Sequence, residues 1–308
     1  MLATTPMSAL ELCDAIKTGK PFDASRLNRI LGLNAMHGLL EVQAATPWQA
    51  IAAELRPGDA RANVPTTMAT VGESIGRNAA GPDGTPAVNH VASLTVVMSD
   101  GELRRVSRQR HRELFALIVG GHGLFGTVYS VTLRIATLAR AVERSMRPQE
   151  LTLRKYRANR TLELLIPPEA LDAFVTQTDT RCSDWRIPLQ SVAVRQTAQE
   201  DDSYLRWARR DYSEVKLALA EPVGLGAAVR GTQLRHELID AAIEAGGSFH
   251  IACTADATRE QTEACYPQLK SFLAEKRRFD PHERLVNGWY LHQRALLTRP
   301  NCEVRWAS

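Results

Sequence analysis

Two glycine-rich segments contain the residues of this chain whose types and spacing best suit a binding site. The first, TVGESIGRNAAG, runs from Thr70 to Gly81, and the second, GGHGLFG, runs from Gly120 to Gly126. Glycine lets the main chain adopt positive φ and approach a ligand closely. Successive N–H groups in such turns form a concavity that suits a phosphate. The pattern predicts a nucleotide-type cofactor held mainly by the main chain.

Each segment also has a simpler structural explanation. The first could be a sharp turn between segments of a sheet. The second could serve close packing of a helix against a strand, since glycine permits tight approach without any ligand. Its G-x-G-x-x-G spacing, from Gly121 to Gly126, would mark a Rossmann site only if the last glycine opened a helix. The sequence that follows, TVYSVTLRI, alternates with period two and predicts a strand instead.

A β-hairpin is predicted between the two segments. Residues 94–98 are mostly apolar and β-branched, Asp100-Gly101 is a preferred two-residue turn, and ELRRVS provides the returning strand. We therefore expect both glycine segments to lie beside this hairpin.

A change of composition divides the chain. Residues 140–154 are charged and contain Met and Pro, which predicts a boundary between domains covering residues 1–145 and 146–308. Beyond it the patterns run strand, helix, strand, strand, helix and strand, and the last strand is predicted in SFHIACTA. This order is typical of an α+β domain of the split βαβ, ferredoxin-like type. Two more helices, TREQTEACYP and QLKSFLAEKRRF, are predicted after it.

The composition excludes several classes of protein. The 308 residues are 44% hydrophobic and 23% charged, with a net charge of +4, which is typical of a folded chain with room for two domains. The arginines are scattered and no basic stripe is interleaved with aromatics, so we expect no nucleic-acid partner. Five cysteines without a C-x-x-C pair argue against a disulfide framework or a metal site. Without a signal peptide or a membrane-length apolar run, we expect a cytoplasmic location.

Taken in order, the motifs resemble a known family. The segments TVGxxIxxNxxG, V-x-S-L-x-V-V-x-x-DGE and ELF-x-x-x-VGGxGLFG-x-V-x-x-VTLR resemble the FAD-binding domain of the vanillyl-alcohol oxidase/p-cresol methylhydroxylase (PCMH) type. The likeness extends upstream through DASRLNRILGLNAMHGLLEVQAATPW. Downstream, GGSFHIACTADATREQTEACYPQLKSFLAEKRRFDPHERLVNGWY resembles the end of the substrate domain of FAD-linked oxidases, such as sugar-lactone and alditol oxidases and decaprenylphosphoryl-ribose oxidase. The resemblance implies an α+β fold, with a PCMH-type FAD-binding domain followed by a ferredoxin-like substrate or cap domain.

The resemblance also implies which residues hold FAD. Most of them belong to the first glycine segment, which in the family lines the pyrophosphate and the flavin. Val128 is expected to offer main-chain bonds to the adenine, and His250 matches an aromatic position near the isoalloxazine ring. The implied cofactor-binding residues are Pro65, Thr70, Val71, Gly72, Glu73, Arg77, Asn78, Ala79, Ala80, Gly81, Val128 and His250.

Several positions depart from the family pattern. Glu73 replaces a glycine and brings a carboxylate to the place of the diphosphate, and Ala80 replaces the usual histidine. The family's first cofactor loop, a Gly-Gly-Arg-His-Ser-like segment, has no counterpart before Asp23, so we expect the FAD to be non-covalent. Cys253 stands where decaprenylphosphoryl-ribose oxidases carry an active-site lysine. No catalytic base is assigned, and His250 is the one candidate expected to line the flavin pocket, although both it and Cys253 could be ordinary core residues.

The resemblance implies an FAD-linked oxidase or dehydrogenase. The expected reaction is oxidation of an alcohol group of a polyol, sugar or sugar lactone by hydride transfer to the flavin. The alternative is a shortened, non-catalytic or fragmentary member of the same fold that binds FAD weakly or not at all. Glu73 and the missing first loop favour the alternative, whereas the second glycine segment and the C-terminal pattern favour the enzyme. The substrate, the electron acceptor and the oligomeric state stay open.

Overall fold

The computed structural model describes residues 3–55, 69–81, 83–139 and 160–298 of the chain. Within these ranges two antiparallel sheets are formed, one of five strands in the N-terminal half and one of four strands in the C-terminal half. We refer to them as the N-terminal sheet and the C-terminal sheet. The mixed α+β class predicted from the sequence is confirmed.

The N-terminal sheet has the strand order β1-β2-β5-β3-β4. Its strands are β1 Ile30–Asn34, β2 Leu39–Gln43, β3 Val91–Val97, β4 Leu103–Ser107 and β5 Thr127–Arg134. The predicted hairpin is confirmed, because β3 and β4 pair, but the predicted two-residue turn is wrong. Three residues, 99–101, connect the strands: the amide of Gly101 donates to the carbonyl of Met98, the amide of Met98 donates to that of Glu102, and Gly101 takes a positive φ of 84°. The predicted strand after the second glycine segment is β5, which lies between β2 and β3.

Helices cover the N-terminal sheet, and one of them corrects an expectation. They are α1 Ala9–Lys17, α2 Trp48–Glu54, α3 Val71–Arg77, α4 Arg112–Ile118 and α5 Ile135–Ala139. The first glycine segment is therefore a short helix, α3, and not a loop. Thr70 is its N-cap, since its side chain accepts a hydrogen bond from the amide of Glu73, and Asn78 ends it in the left-handed conformation.

The C-terminal sheet has the order β7-β8-β6-β9, with every pair antiparallel. Its strands are β6 Arg160–Ile166, β7 Leu189–Thr197, β8 Tyr212–Leu219 and β9 Ser248–Phe249, and its helices are α6 Leu171–Asp184 and α7 Leu225–Glu244. Strand β6 leads through α6 to β7, and β8 leads through α7 to β9, as predicted for a split βαβ arrangement.

The last part of the described chain departs from the predicted pattern. It consists of α8 Arg259–Cys265, α9 Leu269–Phe279 and α10 Gly288–Thr298. The first two were expected, whereas α10 was not. Strand β9 ends at Phe249, so His250 lies just beyond the strand in which it was predicted. The carbonyl of His250 accepts hydrogen bonds from the amides of Cys253 and Thr254, which closes a turn there.

One hydrophobic cluster joins the two halves. Phe125, at the end of the second glycine segment, packs edge-on against Phe272 of α9, with ring centroids 5.0 Å apart. Trp207 is buried, and its indole nitrogen donates to the carbonyl of Asn78 over 3.0 Å. These contacts hold the second glycine segment and the end of α3 against the C-terminal half of the chain. Among the helices that the structure describes, none combines the length and the apolar character needed to cross a bilayer.

Candidate functional site

The second glycine segment is hydrogen-bonded to the first. The amide of Gly120 donates to the carbonyl of Ile75 over 2.9 Å, and the amide of His122 donates to the carbonyl of Gly76 over 2.9 Å. Both carbonyls belong to α3. The second segment therefore bonds two carbonyls at the C-terminal end of this helix, and that of Ile75 also accepts from the amide of the C-cap residue Asn78 over 3.1 Å.

The amides at the other end of α3 are also bonded within the protein. Val71 and Gly72 donate to the carbonyls of Thr46 and Ala44 over 3.1 and 2.7 Å. The carboxylate of Glu73 accepts from the amide of Ala69 over 3.2 Å and lies 3.7 Å from Arg77. The expectation that these amides would be unpaired and available for a diphosphate is wrong.

Close packing explains the glycines that these bonds require. A Cβ at Gly72 would lie 2.9 Å from the carbonyl oxygen of Ala44, and one at Gly121 would lie 1.9 Å from that of Leu117. A Cβ at Gly126 would lie 2.4 Å from Cγ1 of Val96. At these positions the absent side chain makes room for neighbouring protein atoms. The packing interpretation of the second segment is thus supported.

A cavity of about 600 Å³ lies where the end of α3 faces the C-terminal sheet. Arg77, Ala79 and Ala80 form its N-terminal wall, and strands β6, β7 and β8 form the opposite wall. His250 and Cys253, from the turn after β9, complete the lining. This volume falls within the range usual for small-molecule and cofactor sites.

Two ion pairs cross the strands of the sheet wall. Glu163 of β6 stands opposite Lys216 of β8, and its Oε1 lies 2.8 Å from the lysine Nζ. Arg195 of β7 stands opposite Glu214 of β8 and binds it through Nε and Nη2. The remaining Nη1 of Arg195 donates to the carbonyl of Gly81 over 2.9 Å, which ties the sheet to the N-terminal half.

The Glu163 carboxyl stays ionised and Cys253 stays a thiol. Burial alone would raise the pKa of Glu163, but the hydrogen bond and the charge of Lys216 outweigh it and hold that pKa below the usual range. Cys253 is exposed, so its interpretation as a core residue is wrong. The pKa of its thiol is raised to about 12, first by desolvation of the sulfur and then by the Glu163 carboxylate beside it. A thiol in this state is a poor nucleophile at neutral pH.

His250 is a neutral hydrogen-bond donor. Its Nδ1 accepts from the amide of Ala252 over 3.2 Å, so the neutral ring carries its proton on Nε2. Desolvation lowers the pKa of His250 to about 4, and the ring packs on Trp207 with centroids 4.6 Å apart. The histidine expected as the candidate base therefore has no free lone pair for a substrate proton.

A second histidine near the cavity was not singled out by the sequence. His122 stacks on Trp289 with ring centroids 4.2 Å apart, and its buried Nε2 has no partner. Burial, followed by repulsion from His250 and Arg77, lowers the pKa of His122 to about 3. The signal available was its place inside the second glycine segment, where His122 takes a φ of 53°.

The structure brings only some of the predicted site residues together. Arg77, Ala79, Ala80 and His250 line the cavity. The other predicted residues do not line it. Thr70, Val71, Gly72 and Glu73 form the start of α3, and the side chain of Asn78 accepts a hydrogen bond from the amide of Val88. The carbonyl of Gly81 accepts from Arg195, Val128 pairs with Val96 on β3, and Pro65 falls outside the described residues. As cofactor contacts all twelve remain predictions.

The charged residues of the sheet wall were missed. Glu163, Arg195, Glu214 and Lys216 are widely separated along the chain, and only the register of the strands brings them together. The one signal in the sequence was a charged residue within each apolar strand pattern.

Comparison with known proteins identifies the N-terminal part of the chain. Residues 12–107 match the model of a family described as FAD binding domain. The match corresponds to the PCMH-type domain that the sequence motifs resemble, and it indicates FAD as the cofactor. A search of curated proteins found no match.

The described residues fit the two parts of FAD unequally. The cavity has the volume for an isoalloxazine ring and offers donors to ring heteroatoms from His250 and Arg77. At the start of α3, in contrast, the amides of Val71 and Gly72 are already bonded and Glu73 carries a negative charge. The ring therefore fits the cavity, and this part of α3 does not fit a diphosphate.

Proposed function

We propose that this chain is an FAD-dependent oxidoreductase whose flavin ring lies in the cavity between the two halves, because residues 12–107 match the model of an FAD binding domain. The observation that carries the proposal is the composition of that cavity. One wall, with Arg77, Ala79 and Ala80, belongs to the matched domain, and the other presents the paired charges of the C-terminal sheet. A redox cofactor and a polar substrate would thus share one cavity.

The proposed substrate is an alcohol group of a polyol, sugar or sugar lactone. Bound FAD supplies the acceptor for the hydride that leaves the alcohol carbon. The pair of Glu163 and Lys216 suits such substrates, since the carboxylate accepts a hydrogen bond from one hydroxyl and the ammonium donates to another. Several hydroxyls arranged along one carbon chain could bind both partners at once.

Glu163 is the proposed acceptor of the hydroxyl proton. It is ionised, whereas His250 carries its proton on Nε2 and Glu214 is engaged by Arg195 and Thr197. His250 is proposed as a donor to an oxygen or nitrogen of the ring or substrate.

Attachment of the flavin is proposed to be non-covalent. Of the residues lining the cavity, Cys253 and His250 carry the side chains usual for such a link. The Cys253 thiol has a pKa of about 12 and the free nitrogen of His250 is protonated. Both features disfavour nucleophilic attack by these residues on the ring.

A second candidate function has its own supporting observation. The bonded amides of α3 and the carboxylate of Glu73 favour a non-catalytic member of the family that binds FAD weakly. This candidate keeps the cavity but makes no use of its charged wall for chemistry.

The absorption spectrum of the purified protein, with and without added FAD, separates the two candidates. We expect the absorption of an oxidised flavin, which an alditol, sugar or sugar lactone bleaches under anaerobic conditions.

Glu163→Gln should slow the bleaching about a hundredfold, the usual contribution of a positioned base. Glu113→Gln, at an exposed ion pair with Arg278, is the matched control and should bleach at the normal rate. A protein that retains no flavin absorption once unbound FAD has been removed would contradict the enzyme. A protein that binds FAD but is bleached by none of these alditols, sugars or sugar lactones would favour the second candidate.

A further inference from the structure

We propose that this chain holds its flavin by the ring system alone, so that the diphosphate and adenosine of FAD add little to its affinity. The inference rests on the proposed function, because it concerns the same cavity. It follows from what the main-chain donors and the cations around the cavity already bind in the part of the chain that the structure describes.

The first step concerns the donors at the start of α3. The amides of Val71 and Gly72 bond Thr46 and Ala44, in the segment that follows β2. The missing side chain of Gly72 lets its backbone lie directly on Ala44, since a Cβ there would come within 2.9 Å of both the Cβ and the carbonyl oxygen of Ala44. Turning these amides toward a ligand would separate α3 from the sheet.

The second step concerns charge at the same place. A helix N-terminus attracts an anion, and Glu73 already supplies one through its bond to the amide of Ala69. A diphosphate brought there would be repelled by this carboxylate. At the other end of α3 the amides of Gly120 and His122 are bonded to its carbonyls, so the second glycine segment offers no replacement through these two amides.

The third step concerns the cations of the cavity. Each of them has a carboxylate partner: Arg77 with Glu73, Arg195 with Glu214 and Lys216 with Glu163. His250, the remaining titratable nitrogen base of the lining, is neutral because its pKa lies near 4. A phosphate would have to displace one of these carboxylates, whereas a neutral ring with hydrogen-bonding edges would not.

The test compares riboflavin, FMN and FAD as ligands of the full chain, by quenching of flavin fluorescence and by calorimetry. We expect the three dissociation constants to agree within about fivefold. A diphosphate held by two charge-assisted bonds would make FAD bind about a hundredfold more tightly than riboflavin, and that result would overturn the inference while leaving the proposed function intact. If no flavin binds, the proposed function fails as well, so the two failures are distinguishable.

Two variants sharpen the comparison. Ala193→Phe places a ring in the cavity from β7 and should weaken all three flavins by the same factor. Its matched control, Ala35→Phe, adds the same ring at an exposed turn and should change none of them. Glu73→Gln should leave the ratio of FAD to riboflavin affinity unchanged, and a tenfold rise in that ratio would show that the diphosphate does lie at α3. Circular dichroism confirms that each variant is folded.

Discussion

The glycine segments and the charged wall of the cavity use their polar groups in opposite ways. In the glycine segments, main-chain amides bond neighbouring main-chain carbonyls, as Gly120 bonds Ile75, and the glycines make room for that contact. On the cavity wall, side chains such as Glu163 and Lys216 are paired with each other while still lining open space. The first region fixes how α3 and the second glycine segment pack against each other within the N-terminal half. The second is where a ligand can find polar groups, so the chemistry is expected there.

The largest effect in this comparison is expected at Gly121. A methyl group in Gly121→Ala would fall 1.9 Å from the carbonyl oxygen of Leu117, which belongs to the helix backbone and cannot move aside. We expect the free energy of unfolding to drop by more than about 3 kcal/mol. Gly76→Ala, in α3, is the control: no atom lies within 4 Å of its Cβ, and alanine should stabilise the helix by about 0.5 kcal/mol. Urea denaturation measures both, and equal effects would mean that packing does not explain these glycines.

The next largest effect depends on pH and separates a packed histidine from one at the cavity. His90 is buried, and desolvation lowers its pKa to about 4. The unfolded chain binds this proton near pH 6.5 and the folded chain does not, so stability is complete above pH 6.5 and falls between pH 6.5 and 4. His90 alone should account for about 3 kcal/mol of that loss. His90→Gln should reduce the loss of unfolding free energy between pH 6.5 and 4 by about 3 kcal/mol, and the contributions of His122 and His250 should remain.

His250 provides the contrast to His90 in a second experiment, which follows ligand binding by NMR. It also has a pKa near 4, but it lines the cavity. Riboflavin should therefore shift the NMR resonances of His250 and leave those of His90 in place. If both respond equally, the ligand does not bind in this cavity.

A smaller loss is expected on the cavity wall at the pair that also joins the two halves. Arg195 and Glu214 are mostly buried, with exposed fractions of 15% and 13%, and Arg195 also bonds Gly81. Arg195→Ala leaves the carboxylate without its partner and should cost about 2 kcal/mol of unfolding free energy, since solvent reaches part of the site. Arg210→Ala removes a surface pair with Glu169, which is half-exposed or more on both sides, and should cost less than about 0.5 kcal/mol. A loss at Arg195 no greater than that at Arg210 would contradict the structural role of the wall.

The parts of the fold set by local sequence were predictable. The hairpin of β3 and β4 and the existence of strand β5 depend on neighbouring residues, and the structure confirms both. Helix α3 was missed because Gly72 and Gly76 lower helix propensity, although Thr70 and Glu73 have the spacing of a helix N-terminus. What fixes the helix is the bonding of its ends to distant carbonyls and amides.

The cavity wall was beyond prediction because it depends on strand register. Glu163 and Lys216 are 53 residues apart along the chain, and a shift of one residue would turn one of them to the other face of the sheet. His250 was placed near the flavin by resemblance and does line the cavity. Its tautomer, which argues against its use as a base, follows from the hydrogen bond that Nδ1 accepts from the amide of Ala252. No sequence pattern predicts that bond.

The smallest effect on stability is expected at Lys216, where loss of substrate binding can be separated from loss of packing. Its side chain is 51% exposed and its partner Glu163 is 22% exposed, so solvent screens the pair and Lys216→Gln should change the unfolding free energy by less than about 1 kcal/mol. If the wall exists to bind substrate hydroxyls, the same variant should nevertheless raise the KM for a polyol or sugar by about tenfold, because a charge-assisted hydrogen bond is replaced by a neutral one. Binding of riboflavin, which depends on the ring, should stay unchanged. Steady-state kinetics and denaturation of one preparation measure both quantities. A loss of unfolding free energy as large as that of Arg195→Ala would mean that Lys216 contributes mainly to packing. An unchanged KM would mean that Lys216 does not bind the substrate.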